Sequence, residues 1–146
     1  MKKLLFLSLV CLFFALCLPV QAETAELRGV WVSTVGNIDY PSRPGIAVEQ
    51  MKKEADAYLD TAKSLGFNAI FFQSRPMGDA MYPSKIYPWS GFLTGKQGQA
   101  PADGFDPLRY WIDGAHKRGM QLHGGTKVFP NQVRTLLAAI RGCVAI

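Results

Sequence analysis

Apolar positions along the chain change their period in a regular order. Arg28 to Thr34 (RGVWVST) is a short β-rich run opened by a glycine, and Phe67 to Gln73 (FNAIFFQ) is nearly continuous in apolar residues, as strands are when both sheet faces are covered. Between them Val48, Met51, Ala55, Leu59, Ala62 and Leu65 recur at steps of three and four. That spacing predicts a helix with one apolar stripe, ended by Gly66. A second helix is predicted from Asp106 and Pro107, an N-cap followed by proline in the first turn. It is expected to bury Leu108, Trp111, Ile112 and Ala115 and to finish at Lys117, Arg118 and Gly119. Met120 to His123 reads as a weaker third strand. Strands alternating with helices of this length indicate an α/β fold built from βαβ units on a parallel sheet, and no internal repeat or interdomain linker interrupts it.

The connections differ in scale. Gly66-Phe67 and Gly119-Met120 are tight helix-to-strand joints, whereas Ser74 to Phe105 is a 32-residue excursion from strand to helix. Loops of that length are usually functional or disordered. Tyr82, Tyr87, Trp89, Phe92 and Phe105 predict an ordered one, because disordered segments are poor in aromatic residues. Both long connections, Val35 to Ala47 and Ser74 to Phe105, leave the carboxyl ends of strands, the side on which barrel enzymes build their sites.

The amino terminus changes the compartment. Lys2 and Lys3, the 15-residue apolar run Leu4 to Leu18, and Val20-Gln21-Ala22 together predict a signal peptide spanning residues 1–22, removed to leave Glu23 first. Pro19 closes the apolar run short of the roughly 20 residues a spanning helix needs. Cys11 follows Val10 and Cys17 follows Leu16, neither the small residue that precedes a lipid-modified cysteine, so a periplasmic or extracellular product is favoured over a lipoprotein. Removal of the signal leaves only Cys143, which excludes an internal disulfide. It also leaves 14 Lys and Arg against 11 Asp and Glu, spread along the chain, which is no nucleic-acid footprint. The remaining 124 of 146 residues are about half of the roughly 250 that a complete (β/α)8 barrel uses.

Candidate chemistry lies on the carboxyl-end side. Asp39 and Asp79 are the acids that follow the first and second strands; the alternative for Asp39 is a turn role, and for Asp79 pairing with Arg75 or capping a short turn. Asp103 and Asp106 read as a turn residue and a helix cap. Gln73, Ser74 and Arg75 close the second strand, where an amide or guanidinium suits sugar hydroxyls or a carboxylate; otherwise Arg75 ties the long loop to the sheet by bonding its carbonyls. Tyr82, Tyr87 and Trp89 suit stacking on sugar faces, or a minicore within the loop. Trp31 is expected in the core. His116 is expected as a helix-end contact, and His123, at the end of the third strand, is the better functional histidine. One histidine is no zinc site, no phosphate-binding or dinucleotide motif is present, and no metal or cofactor is expected.

Several motifs in one order then become informative. Glu26–Ser42 (ELRGVWVSTVGNIDYPS), Gly66–Pro76 (GFNAIFFQSRP), Tyr87–Gly91 (YPWSG), Phe105–Leu108 (FDPL) and Ala115–Gly119 (AHKRG) resemble the glycosyl-hydrolase-like 10 family of bacterial envelope proteins. The resemblance implies a (β/α)8 TIM-type barrel of which residues 23–125 would hold the first three βα units. It further implies an exported location and glycosidase activity on peptidoglycan glycan strands freed of their peptides, with a carbohydrate as partner. By position Trp31, Asp39, Gln73, Arg75 and His123 would line the top of the barrel, with Trp89 as a further substrate contact. The principal acids of such enzymes follow later strands and have no counterpart here. The likeness ends at His123, and residues 126–146 read as a divergent tail in which Val133, Leu136, Leu137 and Ile140 recur at helical steps. A truncated, inactive glycoside hydrolase is therefore expected, the alternative being a small exported non-catalytic glycan-binding or interaction protein.

Overall fold

A computed structural model describes residues 26–126. The predicted signal peptide and the tail beyond residue 126 lie outside the described residues. The elements are β1 (Gly29–Val32), α1 (Val48–Ser64), β2 (Ala69–Arg75), a short α2 (Gly91–Thr94), α3 (Pro107–Lys117) and β3 (Gln121–Thr126), with 3-10 turns at Val35–Asn37 and Ala102–Gly104. The strands form one parallel sheet in the order β1-β2-β3. Gly29 is opposite Ala69, and Ala69 is opposite Gln121. Among the described residues no helix is long and apolar enough to cross a membrane.

Both helices end in the same way. Gly66 and Gly119 take φ of +82° and +67°, a conformation that costs a residue with a Cβ. The N–H of Gly66 donates to Lys63 O and that of Phe67 to Ala62 O; Gly119 donates to His116 O and Met120 to Ala115 O. These are two Schellman closures, each delivering the chain directly into a strand. Leu65, expected on the apolar stripe of α1, is instead 70% exposed. The helix has ended at Ser64, and Leu65 is the cap residue that turns away from the sheet.

The core lies between the sheet and the two long helices. Val32, Ile70 and Phe72 face Met51, Ala55 and Leu59 of α1 and Trp111 and Ala115 of α3. Trp111 is fully buried, with Tyr40 edge-on at 5.1 Å and Phe72 tilted at 5.1 Å. Tyr40 belongs to the first long connection, so this aromatic cluster anchors that loop to the core. Gly114 lets α3 approach α1: a Cβ there would stand 2.6 Å from Leu59 Cδ1. Ile112, expected in the core, is only half-buried, because Trp111, Gly114 and Ala115 form the face that meets α1 and the sheet.

A polar seam joins the helices at their edge. Arg118 donates to Asp60 at 2.7 Å and to Asp56 at 3.1 Å, and the Tyr110 hydroxyl donates to Asp56 at 2.7 Å. β3 runs further than the apolar pattern predicts, through Gly124, Gly125 and Thr126, because backbone pairing with β2 needs no apolar side chain.

Candidate functional site

Side chains alternate across a strand, and the sheet has a second face that no helix among the described residues covers. Trp31, Phe71 and His123 occupy one rung across the three strands. Phe71 and His123 stack with ring centres 4.9 Å apart and planes 20° from parallel, and His123 Nε2 lies 3.1 Å from Gln121 Oε1. Trp31 is 48% exposed, which corrects the expectation that it sits in the core. Its indole leans over the next rung: a Cβ on Gly125, the partner of Gln73, would be 2.5 Å from Trp31 Cη2. At the other end of the row Gly29 leaves room for Phe71, whose Cε2 would be 2.3 Å from an added Cβ. Glycines on β1 and β3 therefore make space for two aromatic rings to lie along the sheet.

Gln73 does not reach an open mouth. It is 3% exposed, and its Oε1 accepts from Ser33 Oγ (3.2 Å), Thr34 N (2.9 Å) and Val35 N (2.9 Å). Thr34 Oγ1 donates back to Gln73 O at 2.7 Å. The amide thus holds the chain where β1 turns into its loop, and its oxygen is fully committed within the protein.

Arg75 ends β2 beyond a register irregularity between Gln73 and Arg75, opposite Thr126. Such bulges re-aim a side chain at the end of a strand. Its guanidinium carbon stands 3.5 Å from the centre of the Tyr87 ring, a cation–π contact. Arg75 thus meets the long loop by stacking on an aromatic ring rather than by bonding its carbonyls, the alternative the sequence left open. Tyr87, half-buried, thus lays its ring against the end of β2.

The candidate acids lie elsewhere. Asp39 Oδ2 accepts from Ser33 N at 2.7 Å, while Asp39 N donates to Ser33 O. Its side chain lines a groove of about 390 Å³ with Ser42, Glu54, Ala57, Tyr58 and Thr61, against α1 and apart from the Trp31 row. Burial, then the charge of Asp39 and a hydrogen bond to it, raise the Tyr58 phenol above its ordinary value. Burial opposes ionisation of Glu54, but the Ser42 hydroxyl (2.6 Å) and N–H (2.9 Å), with Gln50 and the Arg43 charge, hold that carboxyl below its usual value. Asp79 is 2% exposed, and its Oδ1 accepts from Met77 N at 2.9 Å, a local turn bond. Asp106 caps α3 by accepting from Arg109 N, and Asp103 sits in a 3-10 turn with φ of +56°. His116 is exposed at the end of α3. Among the described residues no three His, Cys, Asp or Glu side chains converge as metal ligands.

The long loop is ordered by contacts that its composition alone does not reveal. Trp89 is half-buried against the core and pairs with Ala80 through a parallel bridge. Asn37, at φ +55°, donates from Nδ2 to Pro41 O (2.8 Å) and Phe92 O (2.9 Å), tying the first loop to the second. Sequence reasoning passed over Asn37. The signal was an asparagine after Gly36, since Asn is enriched among non-glycine residues at positive φ.

The site thus offers an exposed aromatic floor beside a stacked histidine, with Arg75 at the end of β2 stacked on Tyr87. Flat aromatic rings of this kind suit the apolar faces of pyranose sugars.

Comparison with known proteins agrees with this chemistry. The family model described as glycosyl hydrolase-like 10 matches residues 26–132, past the end of the motif likeness at His123. Glycosyl hydrolase YngK of Bacillus subtilis (strain 168) is 42% identical over 119 residues, covering 80% of this chain and 23% of that protein. Glycosyl hydrolase DigH of Escherichia coli (strain K12) is 38% identical over 128 residues, covering 83% of this chain and 29% of that protein. The chain spans about a quarter of the length of these curated relatives. With the family model covering most of its length, the chain belongs to the glycosyl hydrolase-like 10 family.

Proposed function

We propose that residues 26–126 are the first βα units of an exported (β/α)8 barrel that hydrolyses glycosidic bonds in cell-wall glycans, and that they bind the saccharide without cleaving it. The observation that carries the reading is the exposed indole of Trp31 laid over Gly125 on the sheet face that no described helix covers. In a closed barrel that face would turn inward, and the carboxyl ends of its strands would open onto the site. Glycoside hydrolysis usually requires two carboxyl groups flanking the scissile bond. Asp39 and Asp79 accept backbone N–H groups away from the Trp31 row, which supports binding without turnover. Export rests on the charged start, apolar run and small-residue cleavage pattern at residues 1–22.

Titration of the whole chain with N-acetylglucosamine oligomers and peptide-free glycan strands, followed by tryptophan fluorescence, tests the reading. Saturable quenching that falls at least tenfold in affinity in Trp31→Ala is expected, with no new reducing ends. Unchanged affinity in Trp31→Ala would sink the platform, and released reducing ends would sink binding without turnover.

A further inference from the structure

We propose that the groove on the outer flank of α1 is a docking site for a partner polypeptide, which seats there an amphipathic helix carrying an arginine or lysine at the border of its apolar stripe. The inference is independent of the saccharide reading, because none of the residues lining the groove belongs to the Trp31 row.

Three observations converge on it. First, the shape is that of a helix-binding surface. Glu54, Ala57, Tyr58 and Thr61 line the groove from α1, and residues three and four apart share one strip of a helix surface. Ala57 and Thr61 are exposed, and the small side chain of Ala57 lets a second helix approach closely. Tyr58 is half-buried, its ring centre 6.0 Å from that of Trp111, so this wall is fixed to the core. Asp39 and Ser42 close the other side from the first long connection. Second, the groove stands at an open border. β1 pairs with β2 and has no strand on its other side among the described residues. α1 meets α3 through Asp56 and Asp60, on the opposite side of its buried stripe from Glu54, Tyr58 and Thr61. Helices layered on a sheet bury their flanks against one another, and this flank has no such neighbour among the described residues.

Third, the charge selects the occupant. Asp39 and Glu54 line the groove and no Lys or Arg does, and neither acid takes part in an ion pair among the described residues. Against the opposing effect of burial, hydrogen bonds from Ser42 and Gln50 and the charge of Arg43 hold the Glu54 carboxyl below its usual value, so it is charged at neutral pH. On its other flank α1 already meets a helix by this chemistry: Asp56 and Asp60 accept from Arg118 of α3 at 3.1 and 2.7 Å. A second copy of the chain offering the same flank would set carboxylates against carboxylates, which is costly. A basic helix from a different polypeptide meets no such penalty, and helices of this kind dock in grooves by their apolar face.

The test titrates the full chain with a Leu- and Ala-rich helical peptide of about 18 residues, long enough to form a helix alone, with two arginines beside its apolar stripe, and with a twin in which both are glutamine. Read by fluorescence anisotropy of the labelled peptide at low salt, the arginine peptide is expected to bind at least about tenfold more tightly than its twin, with the difference shrinking as salt rises. Glu54→Gln should narrow the difference. Ala57→Arg fills the groove with a cation of its own from an exposed position, and should abolish binding of both peptides without moving the unfolding midpoint. Equal binding of the two peptides by the wild type, or no binding of either, overturns the proposal and needs no variant to fold. Binding that survives Ala57→Arg overturns it also. Displacement of the peptide by equimolar arginine amide would make the groove a small-cation site, and a dimer in sedimentation that Ala57→Arg dissolves would make the occupant a second copy; either result sinks the basic helix.

Discussion

Trp31 and Gly125 are two halves of one feature: the indole lies where a Cβ on the glycine would be, 2.5 Å from Cη2. The aromatic floor therefore depends on a residue with no side chain, two strands away in the sheet.

Gly125→Ala should displace the indole and weaken saccharide binding about tenfold, equivalent to about 1.4 kcal/mol, with little change in unfolding midpoint because Trp31 is half exposed already. Combining it with Trp31→Ala should cost no more than Trp31→Ala alone, since both remove the same platform. Calorimetric titration of the four proteins checks this; additive losses would show that Gly125 acts through something other than the indole.

Gln73→Ala should lower stability by about 3 kcal/mol, because two backbone N–H groups and the Ser33 hydroxyl lose their acceptor and each buried group left unpaired costs about 1–3 kcal/mol. Gln73→Glu keeps an acceptor there and should lose less. Urea unfolding separates the two, and a neutral Gln73→Ala would mean that the β1 loop finds other partners.

Helix approach at Gly114 makes a coupled pair with Leu59. Gly114→Ala places a Cβ 2.6 Å from Leu59 Cδ1, and overpacking of this kind costs about 1–3 kcal/mol. Leu59→Ala alone opens a cavity worth about 2–5 kcal/mol. The double variant should be more stable than the sum of the two losses implies, since the new methyl enters vacated space. Strict additivity would place the two side chains out of contact.

The α1–α3 seam contributes to both limbs of the stability–pH profile. The Arg118 hydrogen bond holds the Asp60 carboxyl below its ordinary value. Its contribution is therefore complete above the unfolded pKa of about 3.9 and lost as pH falls through the folded value. The hydrogen bond to Asp56, followed by burial, pushes the Tyr110 phenol up to about 12. That contribution is complete below about pH 10 and lost as pH rises toward 12. Asp60→Asn should flatten the acid limb and Tyr110→Phe the alkaline limb, read as urea midpoints against pH. An Asp60→Asn profile parallel to the wild type at low pH would remove Asp60 from the account.

Periodicity and cap chemistry determined the order of elements by themselves. The three- and four-residue steps of Met51, Ala55, Leu59 and Ala62, the Asp106-Pro107 start and the Gly66 and Gly119 stops act within a few residues of where they stand, so local sequence carries them. The candidate site was legible only in part, because its geometry comes from residues far apart in sequence. Nothing near Trp31 shows that a glycine 94 positions later gives its ring a place to lie. Gln73 reads locally as a strand-end amide and is buried only because the β1 loop, about 40 residues earlier, presents three donors to it. Asp39 looks like an acid at a strand end, yet its own loop and α1 draw it away from the open face. Burial, donors and clearances of this kind are set by strand pairing, and that pairing exists only once the chain has folded.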